Sequence, residues 1–341
     1  MLKLVLLHKY NEKENITFIP IKIIIMTKYK HIFLITAFFL SFVSIVNAQE
    51  EPIVLKTSTG DIEGTLLLPE LKKDIPVVLI IAGSGPTDRN GNNESAENNS
   101  LKYLAMELQK NGIASVRYDK RGIAHSRDAM GEEKDLRFDT YVNDVNDWIE
   151  LIAKDKRFSK IMVAGHSEGS LLGMVAAGKN KNVKAFISIA GAGRPADEIL
   201  KEQLSNVPPS ARDIIYPMID TLKKGDTIGN VPPSLYMLFR PSVQPYMISW
   251  FKYNPQKEIK NLSIPVLILQ GSTDVQVKEE DAQLLYKAQP KAELKIIKNM
   301  NHVLKDCETS DKELQKPIYN NPDLPLNKEF TKVFTEFVKK Q

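Results

Sequence analysis

The stretch that most constrains this chain is KIMVAGHSEGSLLGMVAAG, residues 160–178. Ile161, Met162, Val163 and Ala164 form an apolar run with the character of a buried strand. The run breaks at Gly165-His166-Ser167-Glu168-Gly169 and resumes as Leu171, Leu172, Met174 and Val175, an apolar spacing of the helical kind among small residues. A strand that passes into a helix through so few residues must turn sharply. Gly165 and Gly169 remove the side chains that would collide across the bend. A serine at such an apex has its hydroxyl lifted clear of the sheet, where a nucleophile needs it. A glycine-rich turn without chemistry is the alternative for the pentapeptide alone. With a strand before it and a helix after it, Ser167 is the candidate nucleophile.

The remaining chain supplies the alternation that such a unit requires. Ile53–Leu55 and Gly64–Leu68 read as a hairpin closed by Ser58–Asp61. Pro76–Ala82 is a continuous apolar run, the mark of a central strand covered on both faces. A polar loop rich in turn residues follows, then a helix over 101–109, a strand over 113–118 and an amphipathic helix over 138–153. After the turn at Ser167, strands are expected over 183–190, 264–270 and 294–297, with a closing helix over 330–338. Strands alternating with helices predict an α/β fold: a mostly parallel central sheet flanked by helices. Between Arg194 and Lys260 the rhythm breaks into a proline-rich, partly helical stretch carrying Tyr246, Trp250 and several other aromatic residues. It reads as a helical cap inserted at about 195–260, with Tyr246 and Trp250 as substrate-binding candidates. The expected result is a closed aromatic pocket that favours short acyl chains. The alternative is a helical subdomain whose aromatics pack only on themselves.

An activated serine needs a base, and the base needs an orienting carboxylate. With a turn of this type both come later in the chain, each beyond a strand. Of the five histidines, His8 and His31 lie near the amino terminus. His125 lies upstream of the serine, and His166 adjoins it too closely for its ring to reach back. His302, just past the last strand, is left as the base. Asp274, in the turn after the strand over 264–270, is the acid in the right order. Asp281, within the next expected helix, and Asp306, past the histidine, are poorer choices. Two backbone donors would complete the site. One is the N–H of Glu168, directly after the serine. The other is the N–H of Ser84, where Gly83 and Gly85 let the backbone come close to a substrate.

Five segments together resemble a known superfamily: AGSGPTDRNGN at 82–92, RYDKRGIAHS at 117–126, GHSEG at 165–169, RPSVQPYMISWFKYNP at 240–255 and LILQGSTDVQV at 267–277. The chain is similar to the α/β hydrolases, and more narrowly to a bacterial esterase-like branch with a GSGPTDRNGN oxyanion loop. The resemblance implies the α/β-hydrolase fold and a serine carboxylesterase with Ser167, Asp274 and His302 as catalytic triad. It also implies a small-molecule ester as the partner. Ala82 stands where the HGGG lipase branch would have a histidine, which argues against long-chain lipids. Peptidase or acyl-thioesterase chemistry on the same residues is the nearest rival, and a non-catalytic binding protein of this fold is a more distant one.

Composition removes other classes. The net charge of +4 comes from residues 1–48, which carry six lysines and two glutamates; the remainder has 40 basic and 40 acidic residues. A balanced chain offers neither nucleic acid nor an anionic membrane an electrostatic reason to bind. Cys307 is the single cysteine, so no intramolecular disulfide or cysteine-rich zinc site is expected. No metal and no organic cofactor is called for. Asp88-Arg89-Asn90-Gly91-Asn92 has its glycine misplaced for a calcium loop and reads as a structured turn. Asp119 and Arg121 read as braces for the loop after their strand. At the amino terminus, a basic flank precedes an apolar run from Ile32 to Val46 and small residues at Val46-Asn47-Ala48, the pattern of a secretory signal peptide. Residues 26–48 are read as that peptide, cleaved near Ala48, with an uncleaved membrane anchor as the alternative, and residues 1–25 as an upstream extension, untranslated or a leader. A secreted or periplasmic protein is the expectation.

Overall fold

The run at Pro76–Ala82 becomes the strand on which the architecture is centred. In the computed structural model, which describes residues 49–70 and 73–341, this strand β3 (Ile75–Ile81) lies between two parallel neighbours. The expected leader and signal segment, 1–48, fall outside the described residues. The other strands are β1 (Gln49–Thr57), β2 (Gly60–Leu68), β4 (Ala114–Tyr118), β5 (Phe158–His166), β6 (Val183–Ile189), β7 (Val266–Gly271) and β8 (Glu293–Ile297). They form one eight-stranded sheet in the order β1-β2-β4-β3-β5-β6-β7-β8. Pairing is antiparallel for β1/β2 and β2/β4 and parallel elsewhere. The expected α/β class and mostly parallel sheet are thus what the chain forms. The hairpin is longer than its apolar cores suggest, because its ladder runs from Thr57↔Gly60 out to Gln49↔Leu68.

Alternation along β3 builds both faces. Val77, Leu79 and Ile81 point to one side, against α2 (Phe138–Ala153) and α3 (Glu168–Lys179). Val78 and Ile80 point to the other, against α1 (Ser100–Lys110) and the closing helix, Lys328–Lys340, through Phe330, Phe334 and Phe337. Each large apolar side chain removed from water in these layers contributes about 1.5–3 kcal/mol.

The inserted stretch consists of α4 (Ala196–Gln203), α5 (Pro209–Lys224), α6 (Tyr236–Phe239), α7 (Gln244–Trp250) and α8 (Pro255–Lys260). It has its own small core, Ile215, Met218, Ile219, Leu222, Phe239, Met247 and Phe251. Its aromatics do not pack only on themselves. Phe138 at the start of α2 lies flat against Trp250, with ring centroids 6.2 Å apart and planes 5° from parallel. Tyr246 meets the edge of Tyr141 at 5.7 Å, and Ser249 Oγ accepts the Phe138 N–H at 2.7 Å.

Two further helices complete the chain, α9 (Glu279–Ala288) and α10 (Lys312–Tyr319), with Lys328–Lys340 as α11. Sequence periodicity does not mark α10. Pro317 stands inside it, and its start is set by Asp311, whose carboxylate accepts from the N–H of Glu313 at 2.8 Å and of Leu314 at 3.2 Å. No helix among the described residues is long and apolar enough to cross a membrane.

Candidate active site

Ser167 sits between β5 and α3 with φ 55° and ψ −121°. A non-glycine residue in that region is strained and is held there only by its surroundings. Here the Ser167 N–H donates to the Ile189 carbonyl of β6 at 2.9 Å, and its own carbonyl accepts from the Ser170 N–H at 3.0 Å. The glycine before the turn is obligatory, since a Cβ at Gly165 would lie 2.0 Å from the Gly169 carbonyl oxygen.

The loops after β7 and β8 are clasped together. The Ser272 N–H donates to the Ile297 carbonyl at 3.0 Å, Thr273 N–H to the Met300 carbonyl at 3.2 Å, and Asn299 N–H to Ser272 Oγ at 2.9 Å. This clasp brings Asp274 and His302 together: His302 Nδ1 lies 2.7 Å from Asp274 Oδ2. The Asp274 carboxylate also accepts from the N–H groups of Gln276 (2.8 Å) and Val277 (3.0 Å) and from Gln270 Nε2 (3.2 Å). Four donors fix its plane. With the proton held on Nδ1 by the carboxylate, His302 keeps Nε2 free as an acceptor.

His166 joins this pair to the turn at Ser167. Its Nε2 donates to the His302 carbonyl at 2.8 Å, and the two rings lie 4.7 Å apart. Burial, together with His302 nearby, pushes the His166 imidazole down to about 3, so it is neutral across the working range. Among the described residues no hydrogen bond joins Ser167 Oγ to His302, a contact that often forms only when substrate is bound.

The other carboxylates are committed elsewhere. Asp281, buried on α9, takes the Gly193 N–H at 3.0 Å and the Arg194 guanidinium at 2.7 Å, anchoring the start of the insertion. Asp306 accepts from Asn327 Nδ2 at 2.6 Å. His125 is exposed and lies 3.3 Å from Asp119. Asp119 also holds Arg89 (2.7 Å) and Arg121 holds Asp144 (3.1 Å from Nε), the bracing expected of the pair. Asp88 spends its carboxylate on the N–H groups of Asn90 and Asn92 at 2.8 and 2.9 Å, a self-contained turn.

Ser167 opens into a cavity of about 680 Å³ that is also lined by Ser84, Glu168, Lys120, Tyr246 and Trp250. Gly83 packs so tightly on the turn that a Cβ there would lie 3.2 Å from the Ser167 Cβ. The candidate donor at Ser84 is therefore beside the serine. As the first residue of α3, Glu168 has no carbonyl one turn back within the helix to receive its N–H. The charges that line the cavity are paired: Lys120 with Glu168 at 3.0 Å, Arg240 with Glu133 at 2.9 Å, Arg194 with Asp281. In the sequence around Lys120 only its neighbours Asp119 and Arg121 stand out. Nothing in a single lysine after a strand says that it will be buried.

The strand order, the strained serine after β5 and the insertion following β6 define the fold of the α/β hydrolases. Residues 90–229 match the model of a family described as "Serine aminopeptidase, S33". Over 261 residues the chain is 25% identical to Esterase EstD of Thermotoga maritima, a match that covers 72% of this chain and 59% of the relative's length. Among solved structures, Est1E of Butyrivibrio proteoclasticus with ferulic acid bound is similar at a TM-score of 0.56 and 18% identity, covering 84% of this chain and 96% of that one. The Pyrococcus furiosus esterase Pf2001 is similar at 0.55 and 16% identity, covering 86% and 91%.

Proposed function

We propose that this chain is a serine hydrolase that cleaves small, uncharged carboxylic esters through an acyl-enzyme, and that it belongs to the branch carrying the GSGPTDRNGN loop. The reading is carried by one observation: a serine held at φ 55° in the lining of a cavity, on a turn that His166 ties to a hydrogen-bonded His302–Asp274 pair. In this mechanism His302 Nε2 takes the Ser167 proton as Oγ attacks the ester carbonyl. The N–H groups of Glu168 and Ser84 receive the negative charge that develops on the carbonyl oxygen, the largest single contribution in such sites. The imidazolium then gives its proton to the leaving alcohol and next activates water against the acyl-enzyme, while Asp274 holds the tautomer and stabilises the charged ring. Two of the relatives, Esterase EstD and the esterase Pf2001, are esterases by name, which supports the ester.

The peptidase rival has support from the description of the matching family. An aminopeptidase must receive an α-ammonium, and the two carboxylates lining the cavity, Glu168 and Glu133, are each occupied by a cation. A cavity whose charges cancel internally favours a neutral substrate. Export across a membrane, inferred from residues 26–48, completes the proposal.

The test is labelling with a fluorophosphonate and a panel of matched ester, thioester and aminoacyl-amide substrates. Stoichiometric labelling of wild type, none of Ser167→Ala, and hydrolysis of the ester above the others is expected. For Ser167→Ala the loss should approach six orders of magnitude in kcat, the scale for disabling a whole triad. A retained label or near-normal ester turnover in that variant would remove Ser167 from the chemistry.

A further inference from the structure

Lys120 is one of the most buried residues of the chain, at 1% exposure, although it is a lysine. It follows β4, and its ammonium gathers the ends of two other strands. Nζ donates to the Gly83 carbonyl, after β3, at 2.6 Å, and to Glu168 Oε1, after β5, at 3.0 Å. The Tyr141 ring lies below it, with its centroid 5.3 Å away.

Both bonds bear on the candidate oxyanion donors. The Gly83 carbonyl and the Ser84 N–H belong to one peptide unit, which is planar and trans, so they point in opposite directions. Whatever holds the carbonyl sets the direction of the N–H. The Lys120 ammonium holds that carbonyl at 2.6 Å, and the N–H of the same trans unit faces the opposite side. The same unit packs against Ser167. It also sits next to Gly85, at φ 68°, so the loop has little conformational resistance of its own to a flip of that peptide. The second bond grips the side chain of Glu168, the residue whose N–H is the other donor.

We propose that Lys120 is a positioning residue for the oxyanion hole: its ammonium locks the Gly83–Ser84 peptide with the Ser84 N–H toward the substrate oxygen, and ties that peptide to the Glu168 donor. The inference rests on the serine-hydrolase reading. It assigns Lys120 no contact with substrate. Its contribution comes through the orientation of one N–H, and it is realised when the carbonyl oxygen becomes negative.

The experiment compares wild type with Lys120→Met, which keeps the length and removes the charge, using active sites titrated with the fluorophosphonate. Expected per titrated site is a fall of about 100-fold in kcat, the lower end for losing one oxyanion donor, with KM within about threefold. Affinity for a trifluoromethyl ketone, which presents an oxyanion once Ser167 adds to it, should fall in parallel. A lysine that served only to neutralise Glu168 would reduce the melting temperature and the titratable fraction but not these per-site values. Lys120→Cys, made together with Cys307→Ala, alkylated with 2-bromoethylamine in the unfolded state and refolded, returns an ammonium at the same reach, with incorporation verified by mass. Recovery of tenfold or more in kcat on alkylation supports the proposal even where the methionine variant folds poorly. Per-site kcat within threefold of wild type in Lys120→Met, or no recovery in the alkylated protein, overturns it. Activity surviving in Ser167→Ala would instead overturn the underlying reading, so the two failures are separable.

Discussion

Four hydrogen-bond donors converge on Asp274, whereas Trp250 is surrounded by rings and its indole N–H finds no partner among the described residues. The two residues stand for two regions. At the strand ends, position is set by directional hydrogen bonds: the clasp between the loops after β7 and β8, the bonds that hold the strained Ser167, the ammonium of Lys120. In the insertion, position is set by the packing of Tyr246 and Trp250 on Phe138, and by paired charges such as Arg240 with Glu133 and Lys223 with Asp197. Directional bonds hold a group to within a fraction of an ångström. Stacked side chains hold a wall whose outline can change without the scaffold changing. The difference teaches that loss of rate and loss of selectivity should be separable by region.

The sharpest way to break that comparison is at the acid. Asp274→Asn keeps the shape but permits the wrong tautomer of His302, and kcat is expected to fall by about four orders of magnitude. Circular dichroism and melting temperature should stay near wild type. A silent Asp274→Asn beside a damaging Asp306→Asn would dissolve the assignment.

A smaller effect is expected on the other side. Trp250→Ala should leave the rate constant for the preferred short ester within about tenfold while moving the optimum of kcat/KM to longer acyl chains. Each added methylene that finds apolar surface is worth about 0.8 kcal/mol, until the wall is met and crowding costs about 1–3 kcal/mol. The p-nitrophenyl series from acetate to dodecanoate checks it. Wild type is expected to peak between about acetate and hexanoate on this argument, and an unmoved optimum in the variant would clear Trp250 of the role.

The smallest effect concerns acid. His166 is held down to about 3 in the folded chain, against an ordinary value near 6.5 when unfolded. Between those limits the unfolded chain binds the extra proton, so stability rises with pH through that window. The contribution is complete above about 6.5 and is lost progressively as the pH falls toward about 3. The insertion contains no histidine, so this sensitivity belongs to the strand ends. His166→Gln should flatten the fall of stability between pH 6.5 and 4 by up to about 1.4 kcal/mol per pH unit, read from urea titrations across that range. Equal slopes in both proteins would mean that the ring is solvated.

These regions were also unequally legible. Strands such as Pro76–Ala82 and the turn at Gly165–Gly169 announce themselves, because periodicity and glycine spacing are local. Asp274 and His302 followed from chain order and from the scarcity of histidine. Lys120 did not, because which lysine finds which carboxylate is decided by a crossing of three strands and leaves no mark on its neighbours. The same holds for Asp281 and Arg194, 87 residues apart in the chain. In α10, Pro317 masks a helix that a capping aspartate sets in place.

The exposed tip at Gly225-Asp226-Thr227, after α5, divides the chain in a way that matters for protein engineering. A cut there leaves Ser84, Lys120 and Ser167 with strands β1 to β6 on one fragment. Asp274 and His302 go with β7 and β8 to the other. Neither fragment holds a full set of the proposed reacting groups. Their rejoining would use the β6–β7 ladder, Phe186↔Val266 to Ile189↔Leu269, and the Arg194–Asp281 pair. The insertion is thus a natural seam for a split reporter, in which colour from a chromogenic ester would record that two tethered partners had met.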